Sequence, residues 1–364
     1  MELTQSWIER ACSRLLRLPR PRSAFIPCEI RDVSRIIVIG KFPNPTFDYY
    51  FAARLAMPGT PPVELVDIRD KAPPLEAEGS LVIIIRYTSI AISRWIRRNK
   101  RLLAAVVLFV DDDIAGAIIS SEATRGYRYR LLRQSIIPLN VLIGSIDELW
   151  VSTEILKKRL AYASPRLLPP APGRGAIVPT VPSSYCLGDP ETVTIAYHAT
   201  AIHMQEHNFL MPVIEAVLKA RPSVVFEVVS NAQNASRWRK LDDKRVIIKP
   251  PLGWHDYLKE QTKQIDIMLV PVAPSQLNEC RADTKRIDVV RVNAAALLSD
   301  CTAFRPAEEG ERLLPYERDV WISHILSLVD DRNVRERLAA STRRRVTAMH
   351  QQAINGLPLI SSKK

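Results

Sequence analysis

The strongest constraint on the fold is a repeated alternation of short apolar runs with longer segments of mixed polarity. Residues 36–39, 81–85 and 105–110 have the length and apolar content of buried strands. The segment at 90–98 that follows the second run has the composition of a helix. Strands that alternate with helices form parallel sheets through right-handed crossovers. The sequence therefore predicts an α/β fold.

A proline-rich stretch divides this alternation into two parts. Residues 164–190 contain seven prolines, and few helices or central strands tolerate such a composition. The chain has 364 residues, whereas single domains usually stop growing at roughly 250–300. We therefore predict two tandem Rossmann-like domains that face a cleft. The predicted order is a basic N-terminal segment at 1–30, a first domain at 31–163, a linker at 164–190, a second domain at 191–345 with a final helix that crosses back, and a tail at 346–364.

The formal net charge of +12 indicates either an anionic partner, such as a nucleic acid, an anionic membrane surface or a phosphorylated substrate, or simply a solvated basic face. Arginines at 10, 14, 17, 20 and 22 alternate with apolar residues at helical spacing, which suits either membrane contact or packing on the first domain. The five cysteines form no C-x-x-C pair, and no run approaches the ~20 apolar residues of a transmembrane helix. We expect a cytoplasmic protein, either soluble or peripheral at the inner face of the membrane.

Two common nucleotide-binding loops are missing from the sequence. The strand at 36–39 runs into Gly40, Lys41 and Phe42, which is not the G-x-G-x-x-G turn of a dinucleotide-binding domain. There is no Walker-A sequence either. In open α/β sheets, ligands lie beyond the carboxyl ends of the strands, so the residues just after each strand are the candidates for a site.

The segment at 277–299 is the strongest of these candidates. Asp283 or Thr284 can cap a helix whose first turn contains Lys285. A cation is mildly unfavourable at a helix N-terminus, so Lys285 with Arg281 upstream suits a bound anion. Asp288 shares the face of Lys285 and could accept hydrogen bonds from ribose hydroxyls. The alternative is an ordinary helix with a salt bridge between Lys285 and Asp288.

This segment resembles the donor-binding motif of group 1 (family 4-like) GT-B glycosyltransferases. The resemblance implies that Arg281 and Lys285 contact the donor diphosphate and assist its departure, and that Asp288 contacts the ribose. Asn278, in the same segment, is included among the donor-binding residues. The family usually has Glu at the position of Asp288 and a second Glu where this chain has Cys280. The resemblance also implies retention of anomeric configuration, with no cofactor and no metal ion.

Two further patches follow predicted strands. After the strand at 193–196, Thr200 and His203 are placed to reach a diphosphate, although these positions also suit structural histidines, and a histidine-based metal site is disfavoured. After the strand at 105–110 come Asp111, Asp112 and Asp113. These three allow a D-x-D metal site of the GT-A type, an acceptor-side site or helix capping. We favour the acceptor-side role.

The sequence therefore predicts a glycosyltransferase that moves a sugar from a nucleotide diphosphate donor to a glycan or lipid-linked acceptor, in envelope polysaccharide synthesis. Its predicted partners are that donor, that acceptor and an anionic membrane, with no nucleic acid. A nucleotide-sugar epimerase of GT-B shape is one alternative. A non-enzymatic basic protein that binds nucleic acid is the other, and the sequence shows no recognised nucleic-acid motif to support it.

Overall fold

The computed structural model describes residues 16–24, 32–70, 76–120, 123–177, 192–199, 203–260 and 265–358. The chain forms two units. The first comprises Met1–Tyr50, Arg54–Pro169 and Asn355–Lys364, and the second comprises Phe51–Ala53 and Pro170–Ile354. Each unit contains one six-stranded sheet flanked by helices. The predicted pair of Rossmann-like α/β domains is therefore confirmed.

The sheet of the first unit is parallel throughout. Its strands are β1 (Arg35–Gly40), β2 (Val63–Asp67), β3 (Ser80–Ile85), β4 (Ala105–Val110), β5 (Glu148–Val151) and β6 (Arg166–Leu167). They lie in the order β2-β1-β3-β4-β5-β6. Every residue of β3 and β4 is buried, because helices cover both faces of such a sheet. The direction of strand addition reverses between β1 and β3, and such a reversal creates a crevice at the carboxyl ends of the two strands.

Short helices connect these strands. They are α1 (Pro45–Tyr50), α2 (Ala52–Leu55), α3 (Ile90–Asn99), α4 (Ile114–Ile119), α5 (Arg125–Leu131), α6 (Ile137–Asn140) and α7 (Glu154–Arg159). A π-helical turn at Leu132–Ile136 joins α5 to α6. Ser89, Thr124 and Thr153 cap α3, α5 and α7, because each side-chain oxygen accepts a hydrogen bond from a backbone N–H in the first turn.

The sheet of the second unit is also parallel. Its strands are β7 (Val193–His198), β8 (Val224–Val229), β9 (Val246–Lys249), β10 (Ile267–Val270), β11 (Ala295–Ser299) and β12 (Leu313–Leu314). Their order is β12-β11-β10-β7-β8-β9. Counted from β7, this is the order 6-5-4-1-2-3, the arrangement of nucleotide-binding Rossmann sheets read from the other edge. The reversal lies between β7 and β10.

Longer helices flank this second sheet. They are α8 (Met204–Ala220), α9 (Ala232–Trp238), α10 (Trp254–Glu260), α11 (Gln276–Glu279), α12 (Lys285–Arg291), α13 (Arg318–Asp330) and α14 (Arg332–Gln351). Helix α8 runs through Pro212 without restarting, and it buries Phe209, Leu210 and Val213 in the core beneath β7 and β8. Among the described residues, no helix is both long and apolar enough to cross a bilayer.

Part of the basic N-terminal segment packs on the first unit. Leu18 is buried, and the guanidinium of Arg17 lies 5.2 Å from the centre of the Tyr162 ring. The backbone N–H of Arg22 donates to the carbonyl of Ile146 at 2.9 Å. Residues 1–15, which carry most of the predicted amphipathic helix, lie outside the described part. The linker at 164–190 stays a prediction because residues 178–191 are also outside the described part, and the crossing back of the final helix stays a prediction too.

Candidate functional site

The reversal point of the second sheet brings together most of the predicted donor-binding residues. His203 follows β7 at the start of α8, and Asn278 and Arg281 follow β10. Strands β7 and β10 are hydrogen-bonded neighbours, so both connecting segments leave the same edge of the sheet side by side. The site therefore lies where open α/β sheets bind their ligands.

A buried carboxylate ties these two segments together. Glu206 Oε1 accepts hydrogen bonds of 3.3 Å from the Ala273 backbone N–H and from Asn278 Nδ2. Asn278 Nδ2 also donates to the Ala273 carbonyl at 2.8 Å. Burial alone would raise the pKa of Glu206, but the hydrogen bond from His203 lowers that pKa to about 2. Glu206 is therefore a permanent anion that anchors the segment after β10 to α8.

His203 lies between this anion and Arg281. Its Nδ1 is 3.6 Å from Glu206 Oε1, and its Nε2 is 3.4 Å from Arg281 Nη1. An arginine can only donate hydrogen bonds, so Nε2 must be the unprotonated nitrogen and Nδ1 must carry the hydrogen. Burial and the charge of Arg281 lower the pKa of His203, and the charge of Lys285 adds to this effect. The positive charges of both predicted diphosphate contacts, Arg281 and Lys285, thus favour the neutral form of the His203 imidazole.

Helix α12 carries the other two predicted residues, Lys285 and Asp288. Asp288 is buried, with Oδ2 at 3.3 Å from Lys285 Nζ and Oδ1 at 3.3 Å from Arg291 Nη1. Arg291 in turn lies over the indole of Trp254, 5.1 Å from the ring centre. The Lys285 side chain is 40% exposed, and its one salt bridge within the described residues is to Asp288 Oδ2. It can therefore reach a ligand while Asp288 stays fixed between two cations.

The start of α12 differs from the sequence prediction in its capping. Thr284 is the residue before the helix, but its side chain makes no capping hydrogen bond. Asp283 instead forms a salt bridge with the fully buried guanidinium of Arg286. The same guanidinium also forms a salt bridge with Glu311. Arg286 requires these carboxylates because an unpaired buried cation is costly. The expectation that Asp283 or Thr284 caps the helix through its side chain was therefore wrong.

Five of the six predicted donor-side residues lie in the described part of the second unit, and Thr200 lies outside it. His203, Asn278 and Arg281 are joined through Glu206, and Lys285 and Asp288 form a pair on the adjacent helix. Sequence reasoning missed the anchoring role of Glu206, and it missed Arg291 and Trp254. The spacing of three residues from His203 to Glu206 and from Asp288 to Arg291 was the available signal.

The reversal point of the first sheet holds a second polar cluster, centred on Arg86. This residue follows β3 directly, and its Nε lies 2.9 Å from Asp111 Oδ1. Its Nη1 pairs with Asp112, and its Nη2 donates to Thr46 Oγ1 at 2.9 Å. Thr46 in turn donates to Asp111 Oδ2 at 2.8 Å. The cluster therefore links the segments that follow β1, β3 and β4.

Arg86 adopts a left-handed backbone conformation, with φ of 58°. That conformation is unfavourable for a residue with a side chain, so the contacts of Arg86 must hold it in place. Burial raises the pKa of Asp111 to about 6, against the opposing charge of Arg86. Arg86 therefore adopts an unfavourable backbone conformation, and its side chain keeps the buried carboxylate of Asp111 in position.

The three aspartates separate into two roles. Asp113 caps α4, since its Oδ1 accepts from the Gly116 backbone N–H at 2.8 Å, and its Oδ2 pairs with Arg159 at 2.7 Å. Asp111 and Asp112 turn towards Arg86 instead. Asp112 keeps 45% of its side chain exposed and is the one best placed to meet a ligand. In the part of the chain that the structure describes, no group of three or more His, Cys, Asp or Glu side chains could hold a metal ion.

Comparisons with known proteins identify the architecture. No protein-family model matches the sequence, and a search of the curated proteins finds no significant match. Among solved structures, the chain is similar to the E. coli trehalose-6-phosphate protein bound with UDP-2-fluoro glucose, at 10% identity and a TM-score of 0.56 over 88% of this chain and 98% of that one. It is also similar to Anabaena HepE in complex with UDP and glucose, at 12% identity and a TM-score of 0.54 over 88% and 98% of the two chains.

A third similar structure is an S. aureus TarM mutant in complex with fondaparinux, α-GlcNAc-glycerol and UDP. It shares 11% identity and a TM-score of 0.52 over 77% of this chain and 55% of its own, so this chain spans about half the length of TarM. These structures are GT-B glycosyltransferases. The chain therefore has the GT-B fold, as the resemblance implied, and at these identities the likeness concerns the fold alone.

Proposed function

We propose that the chain is a glycosyltransferase that takes a sugar from a nucleotide diphosphate donor bound by the second unit. The observation that carries this proposal is the contact of Arg281 with His203 at the reversal point of a sheet with Rossmann strand order, together with the half-exposed Lys285 at the start of α12. Two cations at the carboxyl ends of these strands make a site for an anion. Structures of the same fold that hold UDP or a UDP-sugar support a nucleotide as that anion.

Arg281 and Lys285 supply the chemistry in this proposal. Breaking the anomeric bond leaves negative charge on the departing diphosphate, and preorganised cations stabilise that charge. A charge-assisted hydrogen bond is worth about 1.5–3 kcal/mol. Two such bonds that strengthen in the transition state would therefore accelerate transfer by several orders of magnitude, since about 1.4 kcal/mol gives a factor of ten.

Glu206 and His203 are positioning residues in the same proposal. The Glu206 carboxylate holds His203 as the Nδ1–H tautomer, and the free Nε2 lone pair then accepts from Arg281. This contact leaves the other guanidinium N–H groups of Arg281 for the diphosphate. Asp288, fixed between Lys285 and Arg291, is the proposed contact for the ribose hydroxyls.

The acceptor belongs at the first unit in this proposal, at the cluster around Arg86. The half-exposed carboxylate of Asp112 can accept a hydrogen bond from an acceptor hydroxyl, and Arg86 fixes its orientation. Asp111 pairs with Arg86 in the same cluster, and Asp113 supports the loop by capping α4.

The finer expectations remain proposals: a glycan or lipid-linked acceptor, retention of configuration, independence from metal ions, a peripheral membrane location and a role in envelope polysaccharide synthesis.

The test is to incubate the protein with a panel of nucleotide sugars, with and without glycan and lipid-linked acceptors, and to measure nucleotide release. The expected result is release with at least one donor that Arg281→Ala and Lys285→Ala each reduce at least tenfold. Lys244→Ala, at an exposed lysine elsewhere in the same unit, is the matched control and should match the wild type. Release of a free epimerised nucleotide sugar without an acceptor would instead support the epimerase.

A further inference from the structure

One exposed helical face of the first unit combines cations with apolar side chains. Helix α5, the π-helical turn and α6 form one continuous helical stretch from Arg125 to Asn140. Residues 123–146 contain four arginines and no acidic residue. Their outward side chains include Arg125, Arg130 and Arg133. The face is therefore positive over its first half, from Arg125 to Arg133.

Large apolar side chains share this exposed face. Tyr129 is 63% exposed, Ile137 is 51% exposed and Ile143, in the turn that follows, is 68% exposed. Tyr129, Arg133 and Ile137 recur at intervals of four, so they lie along one side of the helix. Exposed isoleucines cost free energy in water unless a partner covers them. A face of this kind is typical of helices that lie in a membrane interface.

The opposite side of the same stretch is fixed to the first sheet. Pro138 has no N–H, so the carbonyl of Gln134 lacks its helical partner. That carbonyl accepts instead from the Thr88 backbone N–H at 2.9 Å. Ser135 Oγ donates to the Arg86 carbonyl at 2.7 Å. The stretch is therefore held rigidly against the segment that follows β3, beside Arg86.

Helix α3 extends the positive face. It contacts α6, and its Arg94, Arg97 and Arg98 are exposed. No acidic residue occurs between 79 and 110 in the sequence. Two neighbouring helices thus carry exposed cations, and each cation that comes close to an anionic membrane adds to the attraction.

We infer that this face, defined by Arg125, Tyr129, Arg130, Arg133, Ile137 and Ile143, docks the protein on an anionic lipid bilayer. The arginines match lipid phosphates, and the isoleucines enter the boundary of the acyl chains, while Tyr129 suits the headgroup level. A nucleic acid would satisfy the arginines but would gain nothing from exposed isoleucines. Docking would place the Arg86 cluster beside the membrane surface, within reach of a lipid-linked acceptor. The docking itself does not depend on the proposed activity.

Vesicle flotation of the full chain tests this inference. Vesicles of phosphatidylcholine alone are compared with vesicles that also contain phosphatidylglycerol. The wild type should float with the anionic vesicles only. Arg130→Gln combined with Arg133→Gln should weaken that binding about 30-fold, on the basis of two lost cations. Ile137→Ser combined with Ile143→Ser should weaken it about tenfold or more.

The matched control is Arg239→Gln combined with Lys240→Gln, which removes two exposed cations from the second unit and should bind like the wild type. Unchanged thermal unfolding of each variant shows that its fold is intact. Failure of the wild type to bind anionic vesicles would overturn the inference, as would wild-type binding by both paired variants. Binding of the wild type to duplex RNA or DNA, lost in the arginine variant and without any vesicle binding, would assign the face to nucleic acid instead.

Discussion

Arg86 Nε lies 2.9 Å from Asp111 Oδ1, and Arg86 makes this contact from a left-handed backbone conformation with φ of 58°. The two residues follow adjacent strands of the first sheet, β3 and β4. Their contact therefore joins two of the segments that border the crevice at the reversal point. A locally unfavourable backbone is retained at this position because the buried carboxylate needs its cation.

The first prediction concerns the stability of this pair. Arg86→Met should destabilise the protein by about 3 kcal/mol, because it leaves Asp111 buried without a cation. Asp111→Asn should cost less, and the double variant should be more stable than the sum of the single losses predicts. Chemical unfolding of the four proteins measures this. Strict additivity of the two single losses would show that the contact does not stabilise the fold.

The second prediction separates the aspartates. Asp113→Ala removes a helix cap and an ion pair, so it should lower stability by about 1 kcal/mol. Asp112→Asn keeps the shape of an exposed side chain and should leave stability nearly unchanged, but it should raise the acceptor KM or lower kcat. Nucleotide affinity should be unchanged in both variants. The division of roles would be contradicted if Asp112→Asn and Asp113→Ala had the same stability and impaired acceptor use to the same extent.

The third prediction concerns pH. His207 Nδ1 accepts from Trp238 Nε1 at 2.9 Å, and burial lowers the His207 pKa to about 4. In the unfolded chain its pKa is about 6.5. Between these pH values the unfolded chain binds one more proton than the folded chain. The contribution of His207 to the free energy of unfolding is therefore fully present above pH 6.5 and is lost as the pH falls towards 4. The loss should reach at most about 3 kcal/mol.

His207→Asn is the control for this effect, because its amide oxygen can accept from Trp238 and does not titrate. The thermal unfolding midpoint of the wild type should fall steadily between pH 6.5 and 4.5, whereas that of the variant should fall less. Equal slopes in the two proteins would mean that another group is responsible. Below pH 4.5, Glu206 and Glu227 bind protons in the unfolded chain, whereas their pKa values in the folded chain are each about 2, so the stability of both proteins should fall further.

The sequence indicated much of the fold because the central strands are continuous apolar runs. Strands β1, β3 and β4 are apolar over nearly their whole length, and each was predicted from that feature. Strands β6 and β12 have two residues each, too few to show any pattern, and both were missed. Helix α8 continues through Pro212 because its core packing outweighs one lost hydrogen bond.

Sequence reasoning found parts of the site and missed their partners. Lys285 and Asp288 lie three residues apart, so their contact could be read from helical spacing. Arg86 is 25 residues before Asp111 in the chain, and only the order of the strands brings the two together. The carboxylates at 111 and 112 could be picked out from the sequence. Their partner Arg86 could be identified only once the order of the strands in the sheet was known.

The central claim is that Arg281 and Lys285 bind the diphosphate of a nucleotide in place of a metal ion. Calorimetric titration of the wild type with UDP and other nucleoside diphosphates, with and without EDTA, tests it most directly. We expect at least one nucleotide to bind, with an affinity that EDTA does not change and that Lys285→Ala and Arg281→Ala each weaken at least tenfold, while Lys244→Ala binds it normally. Binding that disappears with EDTA and returns with manganese, or that survives in both variants, would contradict it.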